Sequence, residues 1–323
     1  MTYSKDDENK AREFIENLKE KFQFEIGKKF VFLLVGRTGV GKSSTINSLM
    51  GKEIAKVGDY EPTTMEVKSY DSEISGVKFT VIDTPGLCDD LEEAGNDYNY
   101  LELMRSNVNQ IDSMWFVSRL DETRVTSDEK RGIKLISEAF GSKVWENAVI
   151  IFTFANAVAP LKYPVALEKR TELIRKEIAK YTGVAVGNNI PSVAVDNTSE
   201  ITPDGQKWLG ELYTQVYTRI SAKGAVPFFL ATVERIKRPE KENEVIKQAP
   251  APSAKPRYER PIELSERQAE IVRNKTTDVV GATLAGAGVG SAIGALGGPV
   301  GAAVGGLVGA AIGFVGSLFP KRK

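Results

Sequence analysis

The chain has 323 residues, with 43 basic and 43 acidic side chains balancing to zero formal charge, and 41% of its residues are hydrophobic. It contains no histidine and one cysteine, Cys88, so Ser-His-Asp and Cys-His hydrolases, histidine-ligated zinc, internal disulfides and CxxC sites are excluded. Charge balance argues against a broadly nucleic-acid-binding surface, and the acidic start MTYSKDDENK is read as neither a secretory signal nor an Arg-rich transit peptide.

In chain order, residues 1–27 place Phe14, Ile15, Leu18, Phe22 and Ile26 at helical spacing, which predicts one amphipathic helix. From 28 to 222 short apolar runs alternate with longer helical stretches. FVFLLVG (30–36), VKFTVID (77–83), SMWFVS (113–118), AVIIFTF (148–154) and IPSVAVD (190–196) read as strands, with helices such as KSSTINSLM and 126–140 between them. Strands apolar on both faces and separated by helices predict an α/β domain, a mainly parallel sheet covered on both sides. Residues 223–237 are expected to finish the terminal helix. Five prolines among charges make 238–262 an extended linker, followed by a short helix or connector over 263–278. From Val279 to Phe319 no residue is charged and 13 of 41 are glycine. Gly297-Gly298-Pro299 divides this stretch into halves long enough to cross a bilayer core as helices.

The strongest local signal is Gly36-Arg37-Thr38-Gly39-Val40-Gly41-Lys42-Ser43, a complete GxxxxGK(S/T) pattern between a strand and a helix. Backbone N–H groups of Arg37, Thr38, Gly39, Val40, Gly41 and Ser44 are placed to curl around phosphate oxygens at a helix N-terminus. Lys42 is expected to reach the β- and γ-phosphates and the Ser43 hydroxyl to ligate Mg2+. Downstream, Asp83-Thr84-Pro85-Gly86 ends a strand. Asp83 is positioned to hold the Mg2+ shell by way of water, and the Gly86 N–H to sense the γ-phosphate. Between the two motifs Thr63 or Thr64 is a candidate ligand for Mg2+ and γ-phosphate, with Thr64 slightly favoured. This order marks a GTP-dependent switch rather than a transport ATPase, although an ATPase stays open.

The usual guanine reader, Asn-Lys-x-Asp, is absent. Thr153-Phe154-Ala155-Asn156 ends the next expected strand, where Asn156 can accept only part of the guanine pattern and Phe154 can stack on the base. Asp196-Asn197-Thr198 ends the following strand; the Asp196 carboxylate can accept from both guanine nitrogens, or it makes an ordinary Asx turn.

Together GRTGVGKSSTINSLMG, DTPGL, RLDETRVTSDEK, FGSKVWENAVIIFT and VDNTS resemble the AIG1/Toc34-type GTPases, the paraseptin branch of the septin-like GTPases, over about residues 28–222. The resemblance implies a G-domain fold, binding of GTP/GDP and Mg2+, slow hydrolysis and a homodimer across the nucleotide face. It also implies a guanine reader of TH and E-N type, here with Phe154 for the histidine and Asp196-Asn197 for the second pair. Leu87 and Cys88 stand where a small GTPase carries its water-orienting Gln, so intrinsic turnover is expected on the order of 10⁻⁴ s⁻¹ or slower. Arg124 matches the family arginine that reaches across the dimer; the alternative is a surface ion pair with Asp121 or Asp128.

The Gly-rich segment (279–320) reads as a membrane hairpin with close-packed small residues, as a glycine-zipper module, or as a flexible tail. Arg273 and Lys275 before it and Lys321-Arg322-Lys323 after it place both ends of a hairpin on the cytoplasmic side. The combined expectation is a membrane-associated switch, its G domain facing the cytoplasm, whose nucleotide state controls dimerisation. A nucleotide-gated receptor or scaffold, and a pore-forming effector, are the alternatives.

Overall fold

The computed structural model describes residues 29–55, 67–84, 101–102, 104–106, 108–237 and 257–284. The expected N-terminal helix, Thr63, Thr64, Gly86 with Leu87 and Cys88, and the Gly-rich segment from 285 lie outside the described residues.

A six-stranded sheet runs β2–β3–β1–β4–β5–β6. β1 (Phe30–Val35) is central, between β3 (Val77–Thr84) and β4 (Ser113–Arg119), and β5 (Ala148–Thr153) and β6 (Ser192–Ala194) extend the parallel side. Every residue of β1, β4 and β5 but Arg119 is buried, as a sheet covered on both faces requires. On one face Phe30, Phe32 and Leu34 pack with α1 (Lys42–Met50), α5 (Trp208–Arg219) and α6 (Ala222–Thr232). On the other, Val31, Leu33 and Val35 share a core with α2 (Ser127–Phe140) and α3 (Tyr163–Thr182). α4 (Val184–Asn189) leads into β6. The expected three-layer α/β architecture is observed, though the 190–196 run yields strand only at Ser192–Ala194.

Three features differ from the sequence reading. β2 (Lys68–Ile74) is antiparallel to β3 and is joined to it through Ser75 and Gly76, both at positive φ, the geometry of a type I′ hairpin turn. Its sequence KSYDSEI alternates half-buried and exposed residues, which suits an edge strand with charges facing water and hides it from a search for apolar runs. Secondly, the domain does not end at 222. α6 is buried along most of its length and is followed by β7 (Ile236–Lys237). Thirdly, the chain returns before 262. A short turn at Arg257–Glu259 leads to β8 (Ile262–Glu263), parallel to β7 with Ile262 fully buried, so these residues are not linker. α7 (Glu266–Leu284) then packs on α5 and α6 through Ala269, Val272, Thr276 and Val279. Val279, where the charge-free stretch begins, thus belongs to the domain core. Among the described residues no helix is long and apolar enough to cross a membrane.

Arg235 fastens this return. Its guanidinium donates to Ser48 O (3.0 Å) and Leu49 O at the end of α1, and to Tyr258 O (3.3 Å) and Arg260 O (2.5 Å) of the returning strand. The orphan carbonyls of a helix C-terminus need such donors. Burial pulls the Arg235 pKa down to about 10.

Candidate nucleotide site

The crevice at the C-terminal ends of β1, β3 and β4 is where an open α/β sheet reverses strand order and binds ligands. The loop after β1 passes so close to β4 that a Cβ at Gly36 would lie 2.2 Å from Val117 O. Gly41, at φ 94°, starts α1 with no side-chain cap and no acidic residue in the first turn. The first N–H groups of α1 therefore carry the positive end of the helix dipole with no side chain of their own to satisfy them.

Lys42 folds back over this loop. Its ammonium donates to Gly36 O (2.8 Å) and Arg37 O (3.0 Å), and lies 3.5 Å from Asp83 Oδ1. Parallel pairing of Leu34 with Asp83 brings that carboxylate beside the loop. Asp83 Oδ1 is buried and has no hydrogen-bond partner among the described residues. Burial raises the Asp83 pKa, and the attraction of Lys42 only partly offsets the rise. With only this loose ion pair to Lys42 beside it, a buried carboxylate oxygen is costly to keep charged unless a further cation or donor joins it. With the half-buried Ser43 at the start of α1, Asp83 supplies the hard oxygen donors that suit Mg2+.

Behind the loop, Asn197 Nδ2 donates to Thr45 Oγ1 (3.0 Å) and lies 3.5 Å from Gly41 O. Asn197 thus braces the phosphate loop. Thr153, also expected to bind nucleotide, is buried and donates to Ser118 O (3.1 Å), tying β5 to β4.

At the base-reading end, Phe154 takes the left-handed conformation (φ 56°) and is 36% exposed. The Arg119 guanidinium covers its ring, 3.9 Å from the centroid, and is itself held by a two-pronged pair to Asp121 (2.9 and 2.7 Å). Asp196 Oδ1 accepts the Thr198 N–H (2.9 Å) and hydroxyl (2.6 Å), the Asx turn weighed from the sequence. Asn156 Nδ2 donates to Thr198 Oγ1 (2.9 Å), so the two base-reading segments meet at Thr198.

Arg124 is exposed. Neither ion pair weighed for it is formed: Asp121 engages Arg119, and Asp128 lies 3.8 Å from Arg37. Arg37 also pairs with Glu122 at 3.3 Å. Glu122, Arg119 and the buried Arg170 border the site without having been given a role from the sequence, and Asp128, weighed only as a partner of Arg124, pairs with Arg37 instead. One local signal was available: Thr126 and Glu129 form a reciprocal capping box at the start of α2, a Thr-x-x-Glu pattern visible in sequence.

The sequence model of the AIG1 family matches residues 30–199, which is more than half of the chain. The chain belongs to the AIG1 family. Translocase of chloroplast 34 from Arabidopsis thaliana is 29% identical to this AIG1 protein, the alignment covering 63% of this chain and 69% of the relative. GTP-binding protein A from Dictyostelium discoideum is 36% identical over 40% of this chain and 28% of its own length. Among solved structures, a dimerisation-deficient variant of Arabidopsis Toc33 superposes with a TM-score of 0.52 at 25% identity, covering 72% of this chain and 95% of that one. Toc33 in complex with GDP and Mg2+ superposes at 0.50 and 26% identity, covering 72% and 94%. The AIG1 chain is accordingly a P-loop GTPase by family and fold.

Proposed function

We propose that this protein binds GTP and GDP with Mg2+, hydrolyses GTP slowly, and uses its nucleotide state to control self-association at a membrane. The observation carrying this reading is the Lys42 ammonium, curled onto Gly36 O and Arg37 O and 3.5 Å from the buried Asp83 Oδ1, which accepts no hydrogen bond among the described residues. An incoming phosphate oxygen offers Lys42 a charged acceptor in place of two carbonyls, and charge-assisted bonds are roughly twice as strong as neutral ones. The uncapped start of α1 adds N–H donors to the same anion. Ser43 and Asp83 would hold Mg2+, which would supply positive charge against the charge that develops on the phosphates. Thr64 and the Gly86 N–H close on the γ-phosphate side.

Asp196, held in its turn by Thr198, accepts from guanine; Asn156 supports it, Asn197 braces the phosphate loop, and Phe154 stacks on the base. Arg124 reaches a partner's nucleotide, and because Leu87 and Cys88 cannot orient water, hydrolysis depends on that contact. The translocase relatives' names place those proteins at chloroplast translocation; we carry over nucleotide chemistry and self-association and assign no cargo. The membrane attachment rests on the uncharged Gly-rich composition that continues beyond α7, from 285 to 320.

Nucleotide titration by calorimetry, with and without Mg2+ and with oligomer size read in parallel, tests this. Lys42→Ala should lower GTP affinity at least about a hundredfold, the worth of roughly one buried charge-assisted contact pair. Undiminished affinity would sink the reading.

A further inference from the structure

Arg170 lies in the middle of α3, outside the phosphate-binding and base-reading motifs, yet it is 1% exposed and uses all three guanidinium nitrogens. Its acceptors come from two segments, residues 118–124 and Glu129 of α2. Nε donates to Arg119 O (3.3 Å) and Nη1 to Arg124 O (2.7 Å). Nη2 donates to Ser118 Oγ (2.8 Å), Glu122 Oε2 (3.3 Å) and the buried Glu129. Glu129 in turn accepts the Ser118 hydroxyl and the Thr126 N–H (2.9 Å), so it is the same carboxylate that caps α2. Two of these acceptors are main-chain carbonyls at either end of the segment 119–124. Glu122, between them, points its other oxygen at Arg37 of the phosphate loop, 3.3 Å away.

We propose that Arg170 is a positioning residue: through Glu122 it locks the segment that presents Arg124 to the phosphate loop, so that the two are displaced together. The proposal rests on the reading of Arg124 as the residue that meets a partner's nucleotide.

A buried ion pair alone would not need this arrangement. Pairing Arg170 with Glu129 would hold α3 to α2 whatever the path of 119–124. Holding the carbonyls of Arg119 and Arg124 at once is a different task, because it fixes the backbone on which Arg124 stands while leaving its side chain exposed. It also requires a planar fork, since a lysine carries one nitrogen and cannot reach both carbonyls and two carboxylates together. The Glu122 bridge gives the lock its second end. Burial and the nearby Glu129 charge raise the Glu122 pKa, while Arg37 and Arg170 oppose the rise. Glu122 shares its two oxygens between Arg37 and Arg170, so anything that draws Arg37 away alters its hold on the segment.

The test uses the full chain saturated with the non-hydrolysable analogue GMPPNP, so that altered nucleotide affinity cannot mimic altered association. Dimer dissociation constants are measured by analytical ultracentrifugation for wild type, Arg170→Lys, Glu122→Gln and Arg124→Ala. Arg170→Lys keeps the charge beside Glu129 and loses the fork; Glu122→Gln keeps shape and removes the bridge. Both should weaken association about tenfold, the worth of one positioning hydrogen bond, with Glu122→Gln melting within about 2 °C of wild type as a half-exposed isosteric change allows. A purely structural Arg170 predicts wild-type association for Glu122→Gln. If Arg124→Ala weakens association while Glu122→Gln and Arg170→Lys do not, the lock is refuted and the dimer reading stands. If Arg124→Ala associates like wild type, the dimer reading fails and the lock fails with it. Should Arg170→Lys not fold, Glu122→Gln decides.

Discussion

Replacing Arg235 by alanine tests how the C-terminal part of the chain is held. Its guanidinium serves four backbone carbonyls, two at the end of α1 and two on the returning strand. Bonds from a charged donor are worth about 1.5 kcal/mol each at the low end, or about 6 kcal/mol together. Against this stands desolvation. Burial lowers the Arg235 pKa from 12.5 to about 10, and at 1.36 kcal/mol per unit the charge costs about 3 kcal/mol to bury. The net is about 3 kcal/mol, which should lower the melting temperature by roughly 6–12 °C in a domain of this size. Arg235→Ala should also speed hydrogen exchange in α7, because the returning strand that leads into it loses its tether. Arg235→Lys should recover less than half the loss, since one ammonium cannot span both segments. Calorimetry and amide exchange on the full chain measure both effects. A melt within about 1 °C of wild type, or unchanged exchange in α7, would refute the clamp.

Three further outcomes follow from the site. Because burial holds the Asp83 pKa above its ordinary value, the folded state binds that proton more tightly than the unfolded one. Mg2+ affinity should therefore fall as pH drops through the raised value, while the nucleotide-free fold loses stability as pH rises through the same window; Asp83→Asn should abolish both trends in titrations across that range. Gly36→Ala should destabilise the protein by more than about 2 kcal/mol and impair nucleotide binding, since its Cβ would meet Val117 O at 2.2 Å; a denaturation curve like wild type would contradict it. Asp196→Ala should narrow the preference for GTP over ATP at least about tenfold, the cost of losing a carboxylate that accepts from the base, as competition binding would show; an undiminished preference would remove Asp196 as the reader.

The phosphate loop, Asp83 and the parallel strands were legible because each depends on residues close in sequence: a Gly-rich turn between a strand and a helix, or an apolar run of five to seven residues. β2 was not, since an edge strand with one wet face carries no apolar run. Arg170 and Glu122 were invisible for another reason. Their roles arise from partners tens of residues away, brought together only when α3 packs against β4 and α2. The boundary at 279 misled because loss of charge is a change of composition, whereas packing of α7 is decided by spacing. Ala269, Val272, Thr276 and Val279 recur at three and four residues, and that stripe crosses the compositional border without interruption. Asp196 shows the limit of motif reading: a carboxylate at a strand end supports either a turn or a ligand contact, and here the turn is formed.

Val272, Thr276 and Val279 interlock with α5 and α6, while Arg235 pins the preceding strand to the far end of the helix that begins with Lys42, so contacts run without a break from Val279 to the phosphate-binding helix. A pull exerted on the chain beyond α7 would be borne by α7 and, through the clamp, by α1. The C-terminal part of the molecule is in this sense a drive shaft rather than a leash, joined by packing and by the Arg235 hydrogen bonds to the helix that opens the phosphate site.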